Sequence, residues 1–427
     1  MTIVRRLVVV LALAAATSLV AASNALAKQP YPLNFKTFDL SGGTASGLTY
    51  SGGALKLAST GLTGGYSYTD PYANYYGDGA NGSGTYEYGT WTSTATNLSF
   101  PFNELVSSWN AKTPAGTWIQ VEMQPQLDDG HWAKWYILGR WAYGDSDFHR
   151  TSVGGQGNAD GYVAIDTFFA KDHLTVAYQL RLTLFRRTGS TATPSVSRLS
   201  AIASDLRNQK NAFPSATTMT SQVDLGVPQY SQEIHHGEYP QFDNGGEAWC
   251  SPTSTAMVVG YWDALFPGNG YAPSAAETAW VGYPDPWVDY TARYVYDYHY
   301  NGAGNWPFNT AYVAARGLVG DVTMLHTLRE AEPFIQAGVP LVASVAWSSN
   351  KLDTAIKSTN GHLLVIGGFT GDGNVIAYDP ASATDANVRH VYDREQFERA
   401  WIPASGGIVY VIRPAGWALP SLTANNS

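Results

Sequence analysis

Cys250 is the only cysteine among 427 residues. A lone cysteine has no internal disulfide partner, so it is either packed away or kept for its thiol. It stands in the run Gly245-Gly246-Glu247-Ala248-Trp249-Cys250-Ser251-Pro252-Thr253-Ser254. The spacing of Met257, Gly260, Tyr261, Ala264 and Leu265 predicts a helix over about 251–265, with Pro252 in a first turn that needs no N–H from it. Cys250 therefore falls at a helix start. Unpaired N–H groups and the positive end of the helix dipole there face a thiolate, the nucleophilic form of the side chain. Nucleophilic catalysis would also need an imidazole close by.

Of the six histidines between 223 and 414 (His235, His236, His299, His326, His362 and His390), His362 has the most telling position. It follows Asn360-Gly361 and opens the apolar strand Leu363-Leu364-Val365-Ile366, where a polar ring needs a partner. His235 and His236 lie in a loop with Gly and Pro and read as solvated. Asp379 ends the next strand, before Pro380, and is the candidate to orient His362. Register tests this pairing. If Asp372-Gly373 is a two-residue turn, Asp379 lies opposite Ile366 and shares a face with His362. If the loop has three residues, the two side chains point to opposite faces unless a bulge, for which Gly367-Gly368 is suited, intervenes. Even on one face the offset is about four residues, roughly 13 Å along the strands, which twist or a bulge must shorten. The Cys250 N–H and a side-chain amide are candidate oxyanion donors; of Gln229 and Gln232, the latter is preferred.

These residues need a scaffold. Residues 223–414 read as helix first and antiparallel sheet after, the α+β class. Helices are predicted over about 309–316, 328–337 and 393–401. The last begins with an Asp393/Gln396 capping box. Strands are predicted over 340–347, 362–369, 375–379 and 407–413. Residues 28–203 read as an all-β sandwich. Ile119, Val121 and Met123 alternate with Gln120, Glu122 and Gln124, and Tyr178, Leu180, Leu182 and Leu184 share a face. Only 102–109 has a helical cast. Residues 204–222 are polar and aperiodic and read as a linker, and 415–427 as a C-terminal tail.

Arg5-Arg6, the apolar stretch from Leu7 to Val20, and Ala25-Leu26-Ala27 have the layout of a secretory signal peptide over 1–27, cleaved near Ala27. The expected mature chain is a secreted, extracellular protein with no membrane association. Without the signal's two arginines the formal net charge moves from −9 to −11. The imbalance lies in 223–414, with 20 acidic against 9 basic residues. Such a surface argues against nucleic acid as a partner. No cofactor motif is present, and no His/Cys cluster has zinc spacing. Trp91, Trp109, Trp118, Trp132, Trp135 and Trp141 make the first domain a candidate for carbohydrate or cell-wall binding, although tryptophans of a sandwich more often fill its core. Asp128-Asp129, Asp145 and Asp147 are a weak candidate for calcium.

Taken together, Trp249-Cys250-Ser251-Pro252-Thr253-Ser254, Val227-Pro228-Gln229-Tyr230-Ser231-Gln232, Gly361-His362 and Tyr378-Asp379-Pro380 resemble the papain-like cysteine peptidases of the bacteriocin-processing type, the relatives of double-glycine leader peptidases. The resemblance covers residues 223–414. It implies a papain-like fold with Cys250 as nucleophile, His362 as general base, Asp379 as orienting residue and Gln232 as oxyanion donor. The leader peptidases place that glutamine closer to the cysteine and are joined to a transporter, so leader processing is not the expectation here. The expected function is hydrolysis of peptide bonds in a protein or peptide substrate, through a thioester. The rival readings are a cell-wall amidase or transpeptidase with the same triad, and a non-catalytic binding or adhesion protein.

Overall fold

Strict alternation in the first half of the chain produces sheets with one dry face. In the computed structural model, which describes residues 31–73, 83–207, 209, 214–348, 352, 354 and 356–420, this half forms two seven-stranded antiparallel sheets. One runs through the strands at 161–164, 167–170, 104–112, 195–204, 54–57 and 48–51, with 33–37 added to 195–204. The other is built on 117–127 and 175–187. Ile119, Val121, Met123, Leu180, Leu182 and Leu184 are all buried. Gln120 and Glu122 point the other way and bind Arg140 and Arg181. The stretch with a helical cast is a strand, Glu104–Lys112, buried on both faces. Packing on both sides hides the alternation that would have marked it.

Trp91, Trp109, Trp118 and Trp141 are core residues, while Trp132 is exposed and Trp135 lies under the Arg181 guanidinium. The acidic loop residues have partners. Asp128 binds His173, Asp129 binds His131, Asp145 binds Arg293, and Asp147 accepts from the Gly116 N–H.

The second half contains five α-helices among the described residues: α1 (Cys250–Leu265), α2 (Pro286–Val295), α3 (Trp306–Ala315), α4 (Leu328–Gln336) and α5 (Arg394–Ser405). Asp393 caps α5 through the Gln396 N–H, and Gly406 ends it in the left-handed conformation. A third antiparallel sheet of seven strands runs in the order 318–324, 408–414, 341–347, 359–369, 375–378 and 389–392, with 223–224 paired to 359–369. The first half is thus β-rich and the second α+β. No described helix is long and apolar enough to cross a membrane. The signal assigned to 1–27 lies outside the described residues.

Tyr31–Ser427 form one compact unit, and polar contacts join its two halves. Asn110 Nδ2 donates to the Gly320 carbonyl at 2.7 Å and its Oδ1 accepts from the Gly320 N–H at 3.3 Å. Asp321 accepts from Arg198 and Ser200, and Asp166 accepts from the Trp306 N–H where α3 begins. The polar stretch after Ser204 is docked on two helices. Ser215 binds Glu398 of α5, and Thr217 and Thr218 bind Glu332 of α4. Trp417 packs on Trp262 and donates to the Ala337 carbonyl.

The hairpin that follows His362 has a three-residue loop, not two, because Thr370 N–H bonds to the Asn374 carbonyl and Phe369 faces Val375. A bulge at Gly367 then shifts the register, so Val365 faces Tyr378. Continued one step, this puts Asp379 beside Leu364, on the face of His362 and only two residues along from it. Both glycines are needed. A Cβ on Gly367 would lie 2.5 Å from the Tyr378 ring, and one on Gly368 would lie 2.4 Å from the Val223 carbonyl oxygen. Gly368→Ala should therefore cost about 1–3 kcal/mol through overpacking against backbone that cannot yield. Urea unfolding checks this, and a change under about 0.5 kcal/mol would mean that the bulge tolerates a side chain.

Candidate active site

Cys250 occupies the first position of α1 and is partly buried. The chain enters through a short 3₁₀ turn, Gly246–Ala248, and the helix has no side-chain N-cap. Its first amide groups are therefore left to whatever sits above Cys250. The turn is tightly made: a Cβ on Gly246 would lie 2.2 Å from the Gln232 carbonyl oxygen, and Gly245 has φ +93. Trp249 is wholly buried and donates its indole N–H to the Phe242 carbonyl at 2.5 Å. Ser251 and Tyr410 exchange a hydroxyl hydrogen bond of 2.9 Å, and the Ser254 hydroxyl donates to the Leu363 carbonyl at 3.1 Å. The last bond fastens α1 to the residue next to His362.

His362 Nε2 lies 2.8 Å from Asp379 Oδ1, with both side chains buried. Asp379 Oδ1 also accepts from the Ala381 N–H, and Oδ2 accepts from the Tyr392 hydroxyl at 2.7 Å. Cys250 is a further neighbour of the ring and adds to the stabilisation of its charged form. Burial works against a charged imidazole here. It is outweighed by the Asp379 charge and hydrogen bond and then by Cys250, so the His362 pKa is pushed up to about 10. Burial likewise opposes ionisation of Asp379, but His362, Tyr392 and the Ala381 N–H hold it below the ordinary carboxylate value. The Trp347 ring stands edge-on to His362 with centroids 6.0 Å apart.

Gln232 is buried, and its backbone N–H donates to the Pro380 carbonyl beside Asp379. Its Nε2 donates to the Glu247 carbonyl at 2.8 Å and to Glu233 at 3.1 Å. The amide thus lies against the turn that leads into Cys250. Gln229 lies elsewhere, with Oε1 accepting from the Arg389 N–H at the sheet edge. His236 is exposed, but His235 is wholly buried between Glu238 and Asp289, against the expectation of a solvated ring. Two carboxylates close to it, Glu238 of the same loop and the distant Asp289 of α2, draw it inward. Tyr392, which holds the second oxygen of Asp379, was not foreseen. Its one trace in the sequence is its place in a short strand, Arg389–Tyr392, two residues after His390.

The arrangement is a thiol, an imidazole and a carboxylate in series, the order needed for nucleophilic attack with proton transfer. Because the His362 pKa is raised in the folded chain, its charge stabilises the fold fully below the unfolded value of about 6.5. That contribution is lost as pH rises through about 10. NMR titration of the labelled imidazole should find the ring protonated at neutral pH in the wild type and titrating at lower pH in Asp379→Asn. A wild-type ring that is neutral at pH 7 would contradict the geometry.

Residues 34–204 match the Peptidase C39 N-terminal domain, and residues 224–409 match the Peptidase C39-like family. No curated protein matches the chain. Among solved structures, a protein from Bacillus anthracis described as a C39-like peptidase is 15% identical, with 45% of this chain and 98% of that one covered and a TM-score of 0.27. The infectious bursal disease virus Gt strain structure is 10% identical, with 41% and 33% covered and a TM-score of 0.19. Scores this low carry no argument about fold.

Proposed function

Residues 224–409 belong to the C39-like peptidase family, and from that premise we propose that the protein is a secreted cysteine peptidase that hydrolyses peptide bonds through Cys250, His362 and Asp379. The observation that carries this reading is the buried 2.8 Å bond between His362 and Asp379 on a ring that also has Cys250 as a neighbour. Cys250 Sγ, as thiolate, attacks the substrate carbonyl carbon. The C=O electron pair moves to oxygen, and the oxyanion is held by the Cys250 N–H and the Gln232 amide. As the tetrahedral species collapses, the C–N bond breaks and His362 gives its proton to the leaving amine. Water then attacks the thioester, His362 takes a proton from it, and the C–S bond breaks to release the acid and restore the thiolate. Asp379 stays ionised and holds the ring, and Tyr392 holds Asp379. Export rests on the layout of residues 1–27.

To hold an oxyanion, Gln232 has to release one of the two hydrogen bonds that its Nε2 makes, to the Glu247 carbonyl and to Glu233. Replacing one oxyanion donor costs about 100- to 1,000-fold in kcat. With a denatured protein or a quenched peptide library as substrate, Cys250→Ala and His362→Ala should abolish turnover. Gln232→Ala should lose about 100-fold or more in kcat with a smaller change in KM. Turnover that persists in Cys250→Ala would overturn the assignment. A wild type that releases muropeptides but leaves proteins and peptides intact would move the activity to cell-wall amide bonds.

A further inference from the structure

One buried titratable cluster is not used by the proposed chemistry. His235 ends a short 3₁₀ turn that begins just after Gln232, Glu238 follows three residues on, and Asp289 lies in the first turn of α2. We propose that His235, Glu238 and Asp289 bind one divalent transition-metal ion, of the Zn²⁺ or Mn²⁺ class, which pins the segment from Gln232 to Trp249 onto α2.

Spacing is the first support. His235 Nδ1 lies 2.7 Å from Glu238 Oε2 and 3.4 Å from Asp289 Oδ2. Donor atoms of all three residues lie within 4.8 Å of one another. An ion about 2.0–2.2 Å from each donor would set neighbouring donors roughly 2.9–3.5 Å apart. The cluster therefore needs only small shifts to close on an ion. One imidazole with two carboxylates suits Zn²⁺ or Mn²⁺ better than an all-oxygen ion such as Mg²⁺.

The second support is unmet polarity. His235 and Asp289 are wholly buried, and Glu238 nearly so. Neither Asp289 oxygen has a hydrogen-bond partner, and neither has His235 Nε2. Buried carboxylates are normally paired and hydrogen-bonded. Without an ion, a charged His235 faces two carboxylates, leaving one negative charge in excess and a stranded Nε2–H. A neutral His235 leaves two. An ion of charge +2 beside a neutral ring brings the cluster to zero, takes up Asp289, and leaves only a neutral Nε2–H unpaired. The nearby Asp285 adds no positive charge. Asp285 is close enough to feel both His235 and Asp289, and its own pKa is pushed up to about 6, first by burial and then by Asp385.

Position gives the ion its consequence. The His235 ring lies against Trp249, with centroids 6.0 Å apart, and Trp249 precedes Cys250. Fastening His235 to α2 would fix the turn that carries Cys250 and the start of the segment that carries Gln232.

The test uses the full chain carrying Cys250→Ser, so that the thiol cannot act as a ligand. The protein is stripped with a chelator, dialysed and titrated with Zn²⁺ by calorimetry, with Co²⁺ visible absorption as a second readout. The expected result is one saturable equivalent, a higher Tm when loaded, and at least a 100-fold loss of affinity in Asp289→Asn and in Glu238→Gln. Circular dichroism shows whether each variant is folded. If Asp289→Asn is not, Glu238→Gln at the edge of the cluster carries the comparison. No saturable binding, or equal affinity in the folded variants, would overturn the proposal and leave the three residues as an internal charge cluster.

Discussion

Everything in the second half of this chain converges on one buried contact, His362 with Asp379. Taking an imidazolium and a carboxylate out of water is unfavourable, and their mutual attraction offsets this only when the geometry is good and the remaining lone pairs are satisfied. On the carboxylate they are satisfied: the Ala381 N–H and the Tyr392 hydroxyl occupy the rest of Asp379, while Cys250 neighbours the ring. Removing either partner would leave a bare charge in a dry site, a loss on the order of 3–5 kcal/mol. The contact exists because the hairpin register is shifted by one residue at Gly367. With the three-residue loop alone, His362 and Asp379 would lie on opposite faces of the sheet.

The rest of the architecture holds Cys250 to that pair. α1 is buried along most of its length and is tied to the central strand by Ser254 and to the strand at 408–414 by Ser251. The β-rich half is not a loosely tethered appendage. Asn110 brackets Gly320, and Arg198 and Ser200 converge on Asp321, so an edge strand of the α+β sheet is held by side chains from the first half. A polar seam of this kind fixes relative position more strictly than an apolar one, because each group left unpaired would carry its full desolvation cost.

Much of this could be read from the sequence, for identifiable reasons. α1 announces itself by apolar spacing and Pro252, α5 by its Asp393 cap, and the strand after His362 by an unbroken apolar run. What escaped depends on contacts distant along the chain. α2 follows Tyr283-Pro284-Asp285-Pro286, which reads as loop, and the strand at 318–324 carries Gly320 and Asp321, residues poor in strand propensity. Both are chosen by their partners: Gly320 packs against Thr310 and Asp321 meets Arg198. The hairpin loop length is left open by the sequence, because Asp372-Gly373 suits a two-residue turn; Thr370 and Asn374 close a longer one, and the bulge for which Gly367-Gly368 is suited compensates. His235 looked solvated because the loop around it is polar, and Asp289, which draws it inward, lies 54 positions along the chain in a helix the pattern did not reveal.

The central claim is that Cys250 and His362 act as one activated pair. The rate of Cys250 alkylation by iodoacetamide, measured across pH in the intact protein and in His362→Ala, tests it most directly. The account predicts rapid alkylation that persists well below pH ~8.5, the ordinary range of a free thiol, and that falls at least tenfold near pH 6 when His362 is replaced. Equal, slow rates in both proteins, rising only as the solution becomes alkaline, would contradict it.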